Sequence, residues 1–452
     1  MIEKTETVYG DVDWRESAGA RLYRHARERI PGGVQLLSKQ PERYLPELWP
    51  AYYRRAKGCE VWDLDGRRLI DMCFSGIGAC LLGFADDDVN AAVKRAVDDG
   101  SLSTLNTPAE VELADLLCEI HPWADMARYT RSGGESMAVA VRICRAATGR
   151  DRIAVCGYHG WSDWYVAANL GRGGALDGHL MPGLPPAGVP RGLEGTVSTF
   201  RFNRPDELEA IAADSGPQLA AIVMEPLRFD APAEGFLEKV QAAARRLGAV
   251  LVFDEITAGW RHTLGGVHRT LGVEPDLAVF AKSISNGFAM GAVIGRRAVM
   301  EAAQGSFISS TYWTEALGPT AAVATIRKMR EVRLAEHTQA RGRQAQEGWR
   351  RLARKHGLDL TVRGWPALTT FSLDYPGKAQ QLGTLLTQLM LERGYLATTT
   401  YYPTYAQTES VVADYLAALD QVFAVLREAI ERDDVAARLR GPAALSGFAR
   451  LT

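Results

Sequence analysis

Through the middle of this chain, short apolar runs alternate with stretches of helical spacing. "RIAVCGY", "LAAIVMEP", "AVLVFDEI" and "LAVFAKS" are each bounded by turn residues or charges, and they predict strands buried on both faces. "VNAAVKRAV", "AEVELADLLCEI" and "ESMAVAVRICRAA" repeat their apolar residues at helical spacing. That alternation, from about 88 to 330, predicts an α/β fold with a mainly parallel sheet. Residues 14–29 read as a helix, and "CEVWDLDGRRLIDMC" (59–73) as a hairpin around an Asp-Gly turn. A long charged helix is expected from about 318. The extended segment "LTTFSLDY" and a final helix in "VADYLAALDQVFAVLREAIERD" follow it. The expected division is an N-terminal segment (1–75), a large domain (76–325) and a C-terminal small domain (326–452). Between 170 and 195 a Gly/Pro-rich stretch is too long for a plain connection, and loops of that length are often functional coverings.

The bulk numbers change this picture only by exclusion. Hydrophobic content of 47% and charged content of 23% are those of an ordinary globular chain. A net charge of −2 argues against nucleic-acid and membrane-surface partners. The six cysteines are scattered without a C-x-x-C pair, and no His cluster has metal-ligand spacing. Reduced cysteines, no metal and a cytoplasmic location are the expectation. The N-terminus is polar and acidic, unlike a signal peptide, and "CFSGIGACLLGFA" is too short to span a bilayer.

Four features carry candidate chemistry. In "LAVFAKSISNGFAMGAVIG" (277–295) one lysine, Lys282, interrupts an interior strand and its turn. Lysine is rarely buried unless paired or used, although a strand-end lysine can also reach out to water. "YTRSGGESMAVAVRICRAATG" opens a helix on Ser132, Gly133 and Gly134, a turn suited to a phosphate or simply to capping the helix. Asp254 and Glu255 end the strand in "VLVFDEITAGW", where a carboxylate can hold a protonated nitrogen or cap the next helix. In "CGYHGWSDWY", Tyr158 and His159 follow a fourth strand, and Trp161 and Trp164 are candidates for packing. A pyridine-ring cofactor with an aldehyde and a phosphate unites the four. It needs a lysine for a Schiff base, a carboxylate for the ring nitrogen, a nest of N–H groups and an aromatic face. Lys282, freed by an amine substrate, can then act as a general base.

On these motifs the chain resembles the class III pyridoxal-phosphate aminotransferases of fold type I, and within them glutamate-1-semialdehyde 2,1-aminomutases. The likeness runs from "RIPGGVQ" through "RSGGESMAVAVRICRAATGRD" and "GYHGWSDW" to "DEITAGWRHTLGGVHRTLGVEPDLAVFAKSISNG" and "SSTYWTEALGPTAA", fading after about 330. The 28-residue step from Asp254 to Lys282 makes it specific. The resemblance implies a fold type I architecture, with a smaller α+β domain built from both chain ends. It also implies pyridoxal 5'-phosphate as cofactor, small-molecule amino donor and carbonyl acceptor as substrates, and a homodimer with shared active sites. Lys282 would form the Schiff base and Asp254 bind the pyridine nitrogen. Ser132, Gly133 and Gly134 would hold the phosphate, Tyr158 and Ile256 the two ring faces, and Thr311 the neighbouring subunit's phosphate. His159 and Glu225 match positions near the cofactor.

The substrate half departs from the aminomutase pattern. Leu36 and Lys39 stand where a serine and an arginine are usual, and Asp230 where an asparagine follows the "EP" motif. Lys39, Arg131 and Arg228 are candidate grips for a substrate carboxylate or phosphate, or solvated surface cations. Tyr401 and Tyr402 are candidates for lining the pocket or for packing. The expected activity is amino transfer, such relatives acting also on amino sugars and secondary metabolites. The alternatives are an isomerase (aminomutase or racemase) and a catalytically silent binding protein of the same fold.

Overall fold

The computed structural model describes residues 9–171, 173–179, 182–227 and 229–447. It divides into two units, Asp87–Glu336 and a second built from Met1–Asp86 with His337–Thr452. Both boundaries fall later than the expected 75 and 325. The shift goes with a break in the long charged helix, which is two helices, Leu317–Glu331 and Leu334–His356. Arg333 between them is left-handed (φ +49°), and no Gly or Pro announces the turn. The reason lies in packing. Ala322, Ile326 and Met329 bury their side of the first helix within the central unit, whereas Trp349 and Leu352 bury the second in the core of the other unit.

The central unit holds a seven-stranded sheet. In chain order its strands are β1 (Met126–Thr130), β2 (Arg152–Cys156), β3 (Val197–Thr199), β4 (Leu219–Met224), β5 (Val250–Asp254), β6 (Leu277–Phe280) and β7 (Gly291–Gly295). Their spatial order is β1-β7-β6-β5-β4-β2-β3, parallel from β3 to β6, with β7 antiparallel to both its neighbours. Alternate residues feed opposite faces, as a period of two requires. Ile153, Val155, Val223 and Val252 join the cluster under the helix Gly133–Thr148. Ala154, Cys156, Ile222, Met224 and Phe253 join a second cluster under the helix Phe236–Leu247. Burial on both faces explains why these strands read as unbroken apolar runs.

The other unit combines two small sheets. The hairpin strands Tyr53–Lys57, Glu60–Asp63 and Arg68–Asp71 are joined in parallel by Tyr395–Leu396, so both ends of the chain build one sheet. Leu360–Trp365, Leu368–Leu373 and Thr400–Tyr401 form the second. The helix Glu409–Glu431 packs on a core containing Phe371, Leu385, Tyr401 and Phe423. The predicted helix over 14–29 is a short 3-10 turn, Trp14–Glu16, followed by Ala18–Arg29, whose first turn is capped by the Ser17 hydroxyl. Among the described residues no helix is long and apolar enough to cross a membrane.

Candidate active site

Because β7 runs antiparallel between β1 and β6, the carboxyl end of β1 lies at the same sheet edge as those of β2, β4, β5 and β6. Each sequence candidate in the central unit except Thr311 follows one of these strand ends. In open sheets with parallel strands this edge is where ligands bind.

Asp254 terminates β5 and is buried. One carboxylate oxygen accepts the Ile256 N–H at 3.0 Å, and the other faces His159 Nδ1 at 2.8 Å. Each oxygen keeps a further lone pair for a ring N–H. The far nitrogen of His159 faces the Cys156 carbonyl at 3.2 Å, so the imidazole is fixed at both ends. Glu255, the next residue, turns the other way. Its carboxylate accepts the Val267 and His268 N–H groups, both at 3.0 Å, and faces His268 Nδ1 at 2.7 Å. Trp123 donates its indole N–H to His268 Nε2, which fixes the tautomer with the proton on Nδ1. The adjacent acids therefore split into one at the ligand-binding edge and one holding the buried 255–268 loop.

Lys282 lies just past β6, in the short helical turn Lys282–Ser285, with φ +48°. A left-handed lysine is a strained one, and such strain concentrates at functional sites. Its ammonium donates to the Thr257 hydroxyl at 2.8 Å, in the segment that begins at Asp254. Thr257 was not singled out from sequence. A hydroxyl three residues after the acid carries no distinctive signal until the fold brings the lysine to it.

The Ser132–Gly134 turn follows β1. Ser132 stands at the N-cap position, yet its hydroxyl makes no cap bond. Instead its carbonyl accepts the Ser136 backbone and hydroxyl donors, both at 2.9 Å. The hydroxyl and the first-turn N–H groups thus suit an anion. A Cβ on Gly133 would lie 2.9 Å from Ile256 Cδ1, and one on Gly134 would lie 3.2 Å from Trp161 Nε1. The turn is thus closely walled by the Ile256 and Trp161 side chains, and a larger residue at either glycine would have to push them aside. Trp161 is exposed, while Trp164 is buried in the core.

Tyr158 is half-buried after β2, its N–H donating to the Glu225 carboxylate at 3.0 Å. Glu225 follows β4 directly, and a Cβ on Gly157 (φ +112°) would stand 2.7 Å from its carboxylate. Glu225 therefore shapes the Tyr158–His159 turn. The stretch expected to be a covering is anchored by buried Asn169, which donates to the Leu184 carbonyl at 2.8 Å and accepts the Leu176 N–H at 3.0 Å.

The substrate candidates fare differently. Arg131 is committed inside the protein, facing the Glu315 carboxylate at 2.7 Å and donating to the Trp313 and Glu315 carbonyls at 3.0 Å each. That corrects its reading as a free cationic grip. Tyr401 is fully buried, its hydroxyl donating to Gln407 at 2.9 Å, which is a packing role. Lys39 is exposed on a short turn of the other unit, where Tyr402 also lies, edge-on to Phe74. Thr311 is exposed at the start of the turn Thr311–Thr314. Arg228 lies outside the described residues.

The chain's likeness to known proteins is consistent with this geometry. The family model described as aminotransferase class-III matches residues 44–422. The chain is 28% identical over 419 residues to the 3-aminobutyryl-CoA aminotransferase of Cloacimonas acidaminovorans, covering 90% of this chain and 97% of that one. It is 31% identical over 437 residues to the glutamate-1-semialdehyde 2,1-aminomutase of Dechloromonas aromatica, covering 91% and 100%. Among solved structures, the FumI protein of Sphingopyxis sp. MTA144 in its PLP internal aldimine form superposes with a TM-score of 0.82 at 26% identity. That match covers 91% of this chain and 97% of that one.

Proposed function

We propose, of a chain that belongs to the class III aminotransferase family, that it moves an amino group from an amino-acid donor, L-glutamate or another, to an aldehyde or ketone acceptor. Enzymes of this family depend on pyridoxal phosphate and act on small amino and keto compounds. When bound, the cofactor supplies an electron sink for charge developing next to the substrate nitrogen.

The observation that carries the reading is one sheet edge holding a buried carboxylate, a strained lysine and an uncapped glycine turn. Asp254, oriented by His159 and the Ile256 N–H, holds a positively charged ring N–H. Ser132 and the N–H groups after it hold the phosphate. Ile256 and Tyr158 bound the two ring faces. Lys282 Nζ, steadied by Thr257, takes and returns the proton at the carbon bearing the substrate amine. In this reading two copies share their sites, and Thr311 of each reaches the other's phosphate.

The aminomutase relative favours a second reading, in which the same lysine shuttles the proton without exchanging the amine with a second substrate. One measurement separates them. The cofactor-loaded protein is mixed anaerobically with L-glutamate, and with a panel of other amino acids, in the absence of any acceptor. Amino transfer is expected to release one equivalent of the matching keto acid per site. An isomerase releases none, and if no donor yields a keto acid the transfer reading is wrong.

A further inference from the structure

One histidine of the Gly/Pro-rich stretch reaches back to the turn after β2. Gly157, the first residue of that turn, has φ +112°, and its peptide groups are held on both sides. Its carbonyl accepts the hydroxyl of fully buried Tyr165 at 2.8 Å. Its N–H donates to Nδ1 of half-buried His179 at 3.1 Å, 22 residues along the chain. A ring nitrogen that accepts a hydrogen bond carries no proton, so His179 is neutral there, with its proton on Nε2. Tyr158 and His159 follow at once, one tied to Glu225 and the other facing Asp254. His179 therefore fixes the start of the turn that carries them.

The imidazole is delivered by a folded segment. Leu176 is fully buried and joins the core under the helix Gly133–Thr148. The His179 N–H donates to the Leu176 carbonyl at 2.9 Å, and the Asp177 N–H to the Gly174 carbonyl at 3.0 Å. Burial holds the His179 pKa below its ordinary value of about 6.5; His159 pushes the same way and Glu207 opposes them. The carboxylates of its own segment and of the turn are engaged by backbone donors. Asp177 accepts the Gly183 N–H, and Glu225 the Tyr158 N–H, both at 3.0 Å. Protonation at Nδ1 sets one N–H against another and leaves the Gly157 amide without its acceptor.

We propose that His179 is a positioning residue of the cofactor site: its neutral imidazole latches the segment 173–179 onto the turn bearing Tyr158 and His159, and its protonation releases that turn and loosens pyridoxal phosphate. The inference rests on the reading above, in which Tyr158 bounds a ring face and His159 orients Asp254. Cofactor binding then acquires a dependence on pH that belongs to neither the cofactor nor Lys282.

The test measures the pyridoxal phosphate dissociation constant by absorbance between pH 5 and 8, with amide exchange of the peptide spanning Gly157 in the loaded protein. It compares the wild type with His179→Asn, whose side-chain oxygen can accept in place of Nδ1 and does not titrate, and with His179→Leu, which cannot accept. At pH 7.5 the wild type and His179→Asn are expected to bind alike, and His179→Leu about 5-fold or more weakly with faster exchange at Gly157. Below pH 6.5 the wild-type constant is expected to rise relative to that of His179→Asn, a ratio from which the cofactor's own titration cancels. A ratio that stays flat with pH overturns the latch, even where His179→Leu melts earlier; if His179→Leu fails to fold, this ratio still decides. Tyr158→Ala separates the two readings. If it weakens cofactor binding while His179→Leu changes neither constant nor exchange, the latch falls and the Tyr158 reading stands. If His179→Leu speeds exchange at Gly157 but neither variant alters the constant, the turn does not hold the cofactor and both fall.

Discussion

At the residue scale, the informative feature is how little freedom the reactive groups retain. Asp254 has both oxygens engaged, one by a backbone N–H and one by an imidazole, so its carboxylate plane is set before any ligand arrives. Lys282 is held by its own left-handed backbone and by the Thr257 hydroxyl. A hydrogen bond to a charged group contributes about 1.5–3 kcal/mol. Thr257→Val is therefore expected to lower kcat about 10-fold or more, and Thr257→Ser to restore most of it. Steady-state kinetics on both variants, at equal cofactor occupancy, checks this. Equal rates in the valine and serine variants would mean that the hydroxyl does not position the lysine. Lys282 and Asp254 were legible because charged residues are rare in an apolar setting, and the glycine turn because Ser-Gly-Gly opens a helical run. Thr257 and the commitment of Arg131 were not, because a threonine and an arginine are ordinary until their partners, remote in sequence, are known.

At the element scale, local preference and tertiary fit can point opposite ways. Alanine is a better helix former than glycine by about 1 kcal/mol, so propensity alone predicts that Gly342→Ala stabilises the helix Leu334–His356. The fold predicts the reverse. A Cβ at that position would lie 1.8 Å from the Pro366 carbonyl oxygen, and a backbone atom cannot rotate away. Urea unfolding of Gly342→Ala should show a loss of about 1–3 kcal/mol, the usual cost of overpacking, and a gain would contradict the close approach. The same contrast explains the helix expected to run on from 318. Its charged spacing continues through Arg333, but the apolar stripe changes the core it serves, and no local residue signals that exchange.

At the scale of the whole molecule, buried polar groups behind the sheet edge tie stability to pH. His121 is fully buried and neutral. It donates from Nδ1 to the Leu117 carbonyl at 2.9 Å and accepts the Gly266 N–H at 2.9 Å. Burial pushes its pKa down to about 3, with lesser contributions from His268 and Arg269, against about 6.5 in the unfolded chain. Below about pH 6.5 the unfolded chain binds a proton that the folded one refuses, so this contribution falls as pH drops from 6.5 toward 3. The slope from this residue is about 1.4 kcal/mol per pH unit within that window. Denaturant unfolding of the wild type and His121→Gln between pH 7 and 4 should show curves that diverge at the upper end and converge on acidification. A constant difference would remove His121 as the source.

Sequence alone determined the layout of the central unit. Strands buried on both faces are continuous apolar runs, and the helices between them carry helical spacing, so their alternation is visible without coordinates. Sequence also marked Lys282, Asp254 and Ser132–Gly134, since chemistry that must sit in an apolar setting interrupts the pattern around it. Only the tertiary structure decided what each polar group faces. It parted Asp254 from Glu255, gave Lys282 its threonine and sealed Tyr401 in a core. It also spent Arg131 on Glu315, 184 residues away along the chain. The physical reason is that burial and periodicity are properties of neighbouring residues. A hydrogen bond or ion pair between distant ones depends on where the backbone carries them.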